Sequence, residues 1–287
     1  MGATNRLDAT FERLKNEGKK ALIPYLMAGD PSLIDTETLV VELEGAGADI
    51  IELGVPFSDP IADGPVIQKA AERALRSGTS LLRILDTIAR LRTRTQIPLV
   101  LMAYYNTIHA MGERAFCSQA VKAGVDGLIV PDMPVEEATP LSSAASSEGG
   151  PLLIFLLAPT STSARRTQVA RRSQGFVYYV SLTGITGAKL ADVEDVRRNV
   201  AKIRRVTHAP IAIGFGIATP QEAAKVATIA DGVIVGSAIV RRVAELQHNP
   251  GLPEHIGQFI QSLQTAINPV SRSSLVGTHW SARSCGT

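Results

Sequence analysis

The sequence predicts an α/β protein built as a single (β/α)8 barrel, and three observations predict it. Eight short apolar runs alternate with longer stretches of helical spacing. Most of those runs are continuously apolar, as parallel strands covered on both faces are. Most run starts lie roughly 22 to 34 residues apart, the size of a strand–helix repeat, and the 287-residue chain is close to the ~250 residues of one barrel.

The runs are ALIPYLMAG from Ala21, DIIELGV from Asp49, PLVLMAYYN from Pro98, GLIVPD from Gly127, LLIFLLAP from Leu152, FVYYVS from Phe176, PIAIGFGI from Pro210 and GVIVGS from Gly232. Helical spacing fills the intervals. Leu39, Val40, Leu43 and Ala46 form one stripe over Thr36–Ala46, and Val196, Val200 and Ile203 form another over Val193–Val206. Pro220, Gln221 and Glu222 form a usual helix start. The interval from Asp49 to Pro98 is long and predicts a loop plus two helices, near Val66–Arg76 and Ser80–Thr93. Extra helices are therefore expected after strand 2, at Arg6–Glu17 before strand 1, and at Pro253–Ile267 after strand 8. The barrel is expected over residues 1–268. The Ser-, Gly- and Thr-rich stretch 269–287 has no periodicity and reads as a disordered tail. An open doubly wound sheet competes, but Gly214-Phe-Gly216 lacks the third glycine of a dinucleotide fingerprint and sits in the seventh run.

Composition narrows the function classes. Hydrophobic residues are 45% and charged residues 20%, the balance of a globular core. Lys plus Arg total 29 against 27 Asp plus Glu, so nothing points to nucleic acid or a membrane surface. The two cysteines, Cys117 and Cys285, stand in no metal or redox spacing, and the five histidines form no ligand set, so no metal is expected. The first residues lack the apolar stretch of a targeting signal, and a cytoplasmic protein is expected.

Barrel chemistry sits at the C-terminal ends of the strands. In the second run, period two puts Ile50, Glu52 and Gly54 on one face and Ile51, Leu53 and Val55 on the other. The second set suits the helices, so Glu52 points inward, where burial raises a carboxyl pKa toward the range useful for proton transfer. A structural carboxylate tied to neighbouring strands is the alternative. Asp63 follows on the loop Pro56–Pro65 and reads as a hydrogen-bond acceptor for substrate or as a turn former; for Asp59 the turn is the better reading. Glycines close the late strands at Thr183–Gly187, Gly214–Gly216 and Gly236–Ser237. Three such clusters favour a phosphate site over tight turns alone. The tyrosines at 25, 104, 105, 178 and 179 read as core or pocket wall, and Asp132 as a residue of the mouth or of a turn.

The stretches IELGVPFSDPIADGPVIQ, LIPYLMAGDPS, VLMAYYN, GVDGLIVPDMPVEEA, GFVYYVSLTGITGA, IGFGI and DGVIVGSAIV, in order from about Phe11 to about Ile267, resemble the tryptophan synthase alpha subunit family. The resemblance implies a (β/α)8 lyase that cleaves indole-3-glycerol phosphate to indole and glyceraldehyde 3-phosphate. It makes Glu52 the general acid–base, Asp63 the acceptor of the indole N–H, and Tyr178 the active-site tyrosine. Tyr25, Ile67, Met102 and Ile129 would line the indole pocket. Thr186 would contact Asp63 when the lid 183–190 closes, and Gly187, Gly216, Gly236 and Ser237 would bind phosphate. It implies no cofactor in this chain. Pyridoxal phosphate would belong to a beta subunit in an αββα assembly, contacted through Pro56–Pro65, Thr183–Leu190 and Met102–Asn106. A stand-alone lyase and a non-catalytic regulatory barrel remain open beside it, and a phosphate-binding isomerase is a distant fold analogy.

Overall fold

The computed structural model describes residues 5–180, 193–214 and 216–269. Its strands are β1 (Ala21–Met27), β2 (Ile51–Gly54), β3 (Leu99–Met102), β4 (Gly127–Ile129), β5 (Leu152–Ile154), β6 (Leu156–Leu157), β7 (Val177–Val180), β8 (Ile211–Gly214) and β9 (Gly232–Val235). All pair in parallel, in the order β5-β4-β3-β2-β1-β9-β8-β7-β6. The two ends of that order are consecutive in the chain, so the sheet closes on itself as the expected barrel.

The fifth apolar run departs from the expectation of one strand. It breaks at Phe155, with β5 pairing β4 and β6 pairing β7. The Phe155 N–H leaves the ladder for Ser173 Oγ at 3.1 Å, while its carbonyl accepts from Tyr178 N at 3.2 Å. The break turns the segment from one neighbour to the other.

The barrel interior holds Ala21, Ile23, Ile50, Val100, Ile129, Ile154, Phe176, Ala212 and Ile234. Helix α1 (Arg6–Asn16) adds Leu7, Phe11 and Leu14 to this cluster, so the expected N-terminal helix is the plug of the barrel's N-terminal end. Rings then step upward, Phe11 to Phe176 at 5.7 Å and Phe176 to Tyr178 at 6.5 Å. The alternate residues Ile51, Leu53 and Val55 join the outer core against the helices.

Three aspartates tie strand starts together at this lower end. Asp49, Asp126 and Asp231 accept from the backbone of Leu22, Leu99 and Ile211 at 3.0, 2.8 and 2.9 Å. Each also meets arginine: Arg13 with Asp49, Arg6 and Arg92 with Asp126, Arg204 with Asp231. Arg6 and Arg13 lie on α1, so the plug is held by charge as well as by packing.

Helices α2 (Leu33–Gly45), α3 (Pro65–Arg76) and α4 (Leu81–Leu91) follow β1 and β2 as the spacing predicts. Ser32 and Ser80 cap α2 and α4, and Pro65 opens α3. The interval after β3 holds two helices, α5 (Tyr105–Met111) and α6 (Glu113–Ala123), where one was expected. The apolar run from Pro98 stops being strand at Met102, and Asp132 Oδ1 accepts from the first amide of α5 at 2.9 Å. Asp132 is thus a cap across the barrel mouth. Helices α7 (Thr139–Glu148), α8 (Ser163–Arg172), α9 (Val193–Arg204), α10 (Pro220–Ala227), α11 (Ser237–Leu246) and α12 (Leu252–Ile267) follow among the described residues. Past α12, Asn268 exchanges two hydrogen bonds with the Lys20 backbone, 2.8 and 2.9 Å, which fastens the end of α12 beside β1. The tail beyond Pro269 lies outside the described residues.

Candidate active site at the C-terminal ends of the strands

Strand β2 places Glu52 inside the barrel, in register with Tyr25 on β1 and Val100 on β3. Its side chain is 1% exposed, and neither carboxylate oxygen has a hydrogen-bond partner among the described residues. An ionised carboxylate in such a position lacks the compensation that burial of charge requires. Burial, aided by the charge of Asp63, pushes the Glu52 carboxyl up to about 8. At neutral pH it is an acid.

Asp63 ends the loop above β2, half-buried and two residues before the start of α3. Burial pushes it up to about 6, against a hydrogen bond from the Tyr104 hydroxyl that holds it down. At pH 7 the two carboxyls therefore hold one proton between them, on Glu52, and Asp63 carries the charge. Both carboxylates act on the hydroxyls of Tyr25 and Tyr178, which burial and these charges raise well above the ordinary tyrosine range. The four groups share one mouth.

Glycines make room for the rings. A Cβ at Gly54 would overlap the Tyr25 hydroxyl, and one at Gly214 would lie 2.5 Å from that of Tyr178. Tyr25 also packs in a cluster with Met27, Ile67 and Met102, while Ile129 lies beside Met102 in register and belongs to the inner core. An apolar wall thus faces the carboxyl pair. On the other side of Tyr25, a Cβ at Gly236 would meet the Tyr25 Cβ at 3.6 Å. Gly236 precedes α11, whose first turn has no side-chain cap, and Ser237 is its exposed first residue. Gly216 follows β8 with a left-handed φ of 77°. These backbone groups gather at one edge of the mouth, where a helix N-terminus favours an anion. Thr186 and Gly187, with the whole stretch 183–190, lie outside the described residues.

From sequence Tyr104 reads as core or pocket wall, and Gly54 carries no role of its own. The Tyr104 oxygen accepts from Ala62 N at 3.0 Å, and its ring stacks on Phe57 at 5.1 Å. A period-two signal exists for Gly54, which shares the face of Glu52; nothing local marks Tyr104. Among the described residues no group of His, Cys, Asp or Glu could hold a metal ion. Two hollows of about 520 and 760 Å³ open elsewhere, beside α1 at the lower end and between Pro131–Glu136 and α8. It is the raised carboxyl pair that distinguishes the strand-end site from them.

Comparison with known proteins agrees with this arrangement. A family model described as tryptophan synthase alpha chain matches residues 11–268. A tryptophan synthase alpha chain from Geobacter sp. (strain M21) is 50% identical over 268 residues, 93% of this chain and 100% of the relative. The crystal structure of tryptophan synthase subunit alpha from Legionella pneumophila superposes with a TM-score of 0.87 at 38% identity, covering 93% of this chain and all of that one. In the tryptophan synthase complex from Pyrococcus furiosus, a chain 35% identical superposes at 0.77 over 85% of this chain and 98% of its own.

Proposed function

The chain belongs to the tryptophan synthase alpha chain family, and on that premise we propose that Glu52 and Asp63 carry the family's reaction in it. The alpha subunit is a carbon–carbon lyase that cleaves indole-3-glycerol phosphate in tryptophan biosynthesis. Breaking the bond between the indole ring and the glycerol chain needs a proton at C3 and the loss of one from the adjoining hydroxyl. The Glu52 acid gives its proton to C3, which interrupts the ring's aromaticity and puts positive charge on N1. As the C–C bond breaks, its electrons return to the ring. The hydroxyl becomes an aldehyde and its proton goes to the Glu52 carboxylate, which ends as the acid it began as. Ionised Asp63 accepts the N1–H and stabilises the charge formed there. Tyr178 and Tyr25 bound the reacting atoms, Met102, Ile67 and Ile129 the indole, and Gly216, Gly236 and Ser237 the phosphate. Thr186 and Gly187 belong to the same reading through the family pattern.

One observation carries it: a fully buried carboxyl with no partner for its charge, one strand-end away from a second carboxylate that does ionise. The reading extends to a beta subunit in an αββα assembly, with pyridoxal phosphate in that partner. Among the described residues of the loop 56–65, Ile61 is 84% exposed, which suits a partner contact. No helix among the described residues is long and apolar enough to cross a membrane, and we place the enzyme in the cytoplasm, with residues 1–268 as its one domain. The test is indole release from indole-3-glycerol phosphate by the purified chain and by Glu52→Gln, each with and without a beta subunit. Weak activity that rises with the partner and is absent from Glu52→Gln supports the reading. Full activity without the partner favours a stand-alone lyase. Binding of the phosphate substrate without turnover in any arm leaves a regulatory barrel.

A further inference from the structure

Tyr104 stands where β3 gives way to α5, just past Met102, and its buried side chain reaches across to the loop after β2. It touches that loop at both ends. The ring stacks on Phe57 near the loop's start, at 5.1 Å with an interplanar angle of 24°. The hydroxyl meets Ala62 and Asp63 near its end.

The hydroxyl's polarity is forced. The Ala62 N–H can only donate, so at 3.0 Å the Tyr104 oxygen accepts from it. The oxygen's single proton is left for Asp63, whose carboxylate accepts it. A donor of fixed direction favours the ionised form of its acceptor. The carboxylate keeps lone pairs for a second donor.

We propose that Tyr104 is the positioning residue of Asp63: its ring seats the loop through Phe57, and its hydroxyl, fixed by the Ala62 amide, aims the Asp63 carboxylate at the indole N–H. This rests on the reading of Glu52 and Asp63 as the reacting pair. Its consequence reaches Glu52. With Asp63 held as the anion, the shared proton stays on the carboxyl that must deliver it. Among the described residues the groups that face Asp63 are Glu52 on β2, Tyr25 on β1, Tyr178 on β7 and Tyr104 itself; Asp132, beyond β4, acts on the Tyr104 hydroxyl and further disfavours its ionisation. Among these Tyr104 is the hydrogen-bond donor to Asp63.

The test is Tyr104→Phe, which keeps the ring and removes one oxygen. Carbon-13 carboxyl titration of the full chain reads Asp63 directly. The expected result is a midpoint raised by about one pH unit, the size of a lost hydrogen bond to a charged group. In steady-state indole release, with the beta subunit present, the acidic limb of kcat/KM moves up by the same amount. At pH 6 kcat falls about fivefold, as the ionised fraction of Asp63 drops, while KM stays within about twofold, because the lost interaction acts on the transition state. An unshifted Asp63 midpoint in Tyr104→Phe overturns the proposal and leaves Tyr104 a wall residue. A raised Asp63 midpoint in Tyr104→Phe, together with a wild-type chain that shows no lyase activity, supports the proposal and overturns the reading of the pair as catalytic.

Discussion

Replacing Glu52 by Gln should remove the lyase reaction and change the stability of the fold by an amount that moves in favour of Gln as pH rises. In the unfolded chain the carboxyl titrates near its ordinary 4.5, and in the fold near 8. Between those values the folded chain holds a proton that the unfolded chain has released. The carboxyl's contribution to stability therefore falls as pH rises through that window, reaching its full penalty above 8. At ~1.4 kcal/mol for each pKa unit, the penalty is about 3 kcal/mol at pH 7 and about 5 kcal/mol above pH 8. Gln has nearly the same shape and does not ionise. Its buried amide brings a fixed loss of about 1–3 kcal/mol where partners are lacking, and that loss does not vary with pH. The measurable quantity is thus the difference between the two chains as a function of pH. From pH 5 to pH 8 it should move in favour of Glu52→Gln by about 3.5 kcal/mol, or about 7–14 °C in melting midpoint. Paired thermal and urea unfolding curves of the free chain at pH 5, 6.5 and 8 measure it. A difference that stays constant over that range would refute the reasoning, since it would mean that Glu52 ionises in the fold as readily as in water.

Other consequences concern the frame around the pair. Gly54→Ala puts a methyl group where the Tyr25 hydroxyl lies, so the ring must move; about 1–3 kcal/mol of stability should be lost, with a rise in KM and a fall in kcat that a crystal structure would trace to a displaced Tyr25. Asp126→Ala leaves Arg6, Arg92 and the Leu99 amide without their shared buried acceptor. Chemical unfolding should show a loss of about 3–5 kcal/mol, while kcat of the folded fraction stays at the wild-type value, because this clamp sits at the opposite end of the barrel. Leu7→Ala removes part of the plug and should cost about 2–5 kcal/mol, again without changing kcat.

Much of the fold is legible in the sequence because its periodicities are strong. The alternation Ile50-Ile51-Glu52-Leu53 assigns each side chain a face, and the structure keeps every assignment. Long amphipathic stretches such as Leu81–Leu91 carry their own caps, so their existence is plain even where the ends move by a residue or two. What escapes is decided by partners far away in the chain. Phe155 leaves its ladder because Ser173 takes its amide, and Tyr105 begins a helix because Asp132 accepts from it. The lower-end clamp is equally non-local: Asp49, Asp126 and Asp231 look like turn residues until their arginines arrive from other elements. The site divides the same way. Glu52 and Asp63 announce themselves by a strand pattern and a proline-rich loop, whereas Tyr104 gains its place only when β3 is laid beside β2.

The central claim is that the reacting form has Glu52 protonated and Asp63 ionised. The pH dependence of kcat/KM for indole release, with the beta subunit present, tests it most directly, for the wild-type chain beside Asp63→Asn and Glu52→Gln. The account predicts a bell with an acidic limb near 6 from Asp63 and a basic limb near 8 from Glu52, and no measurable turnover in Glu52→Gln. Turnover that persists in Glu52→Gln, or a profile flat between pH 5 and 9, would contradict it.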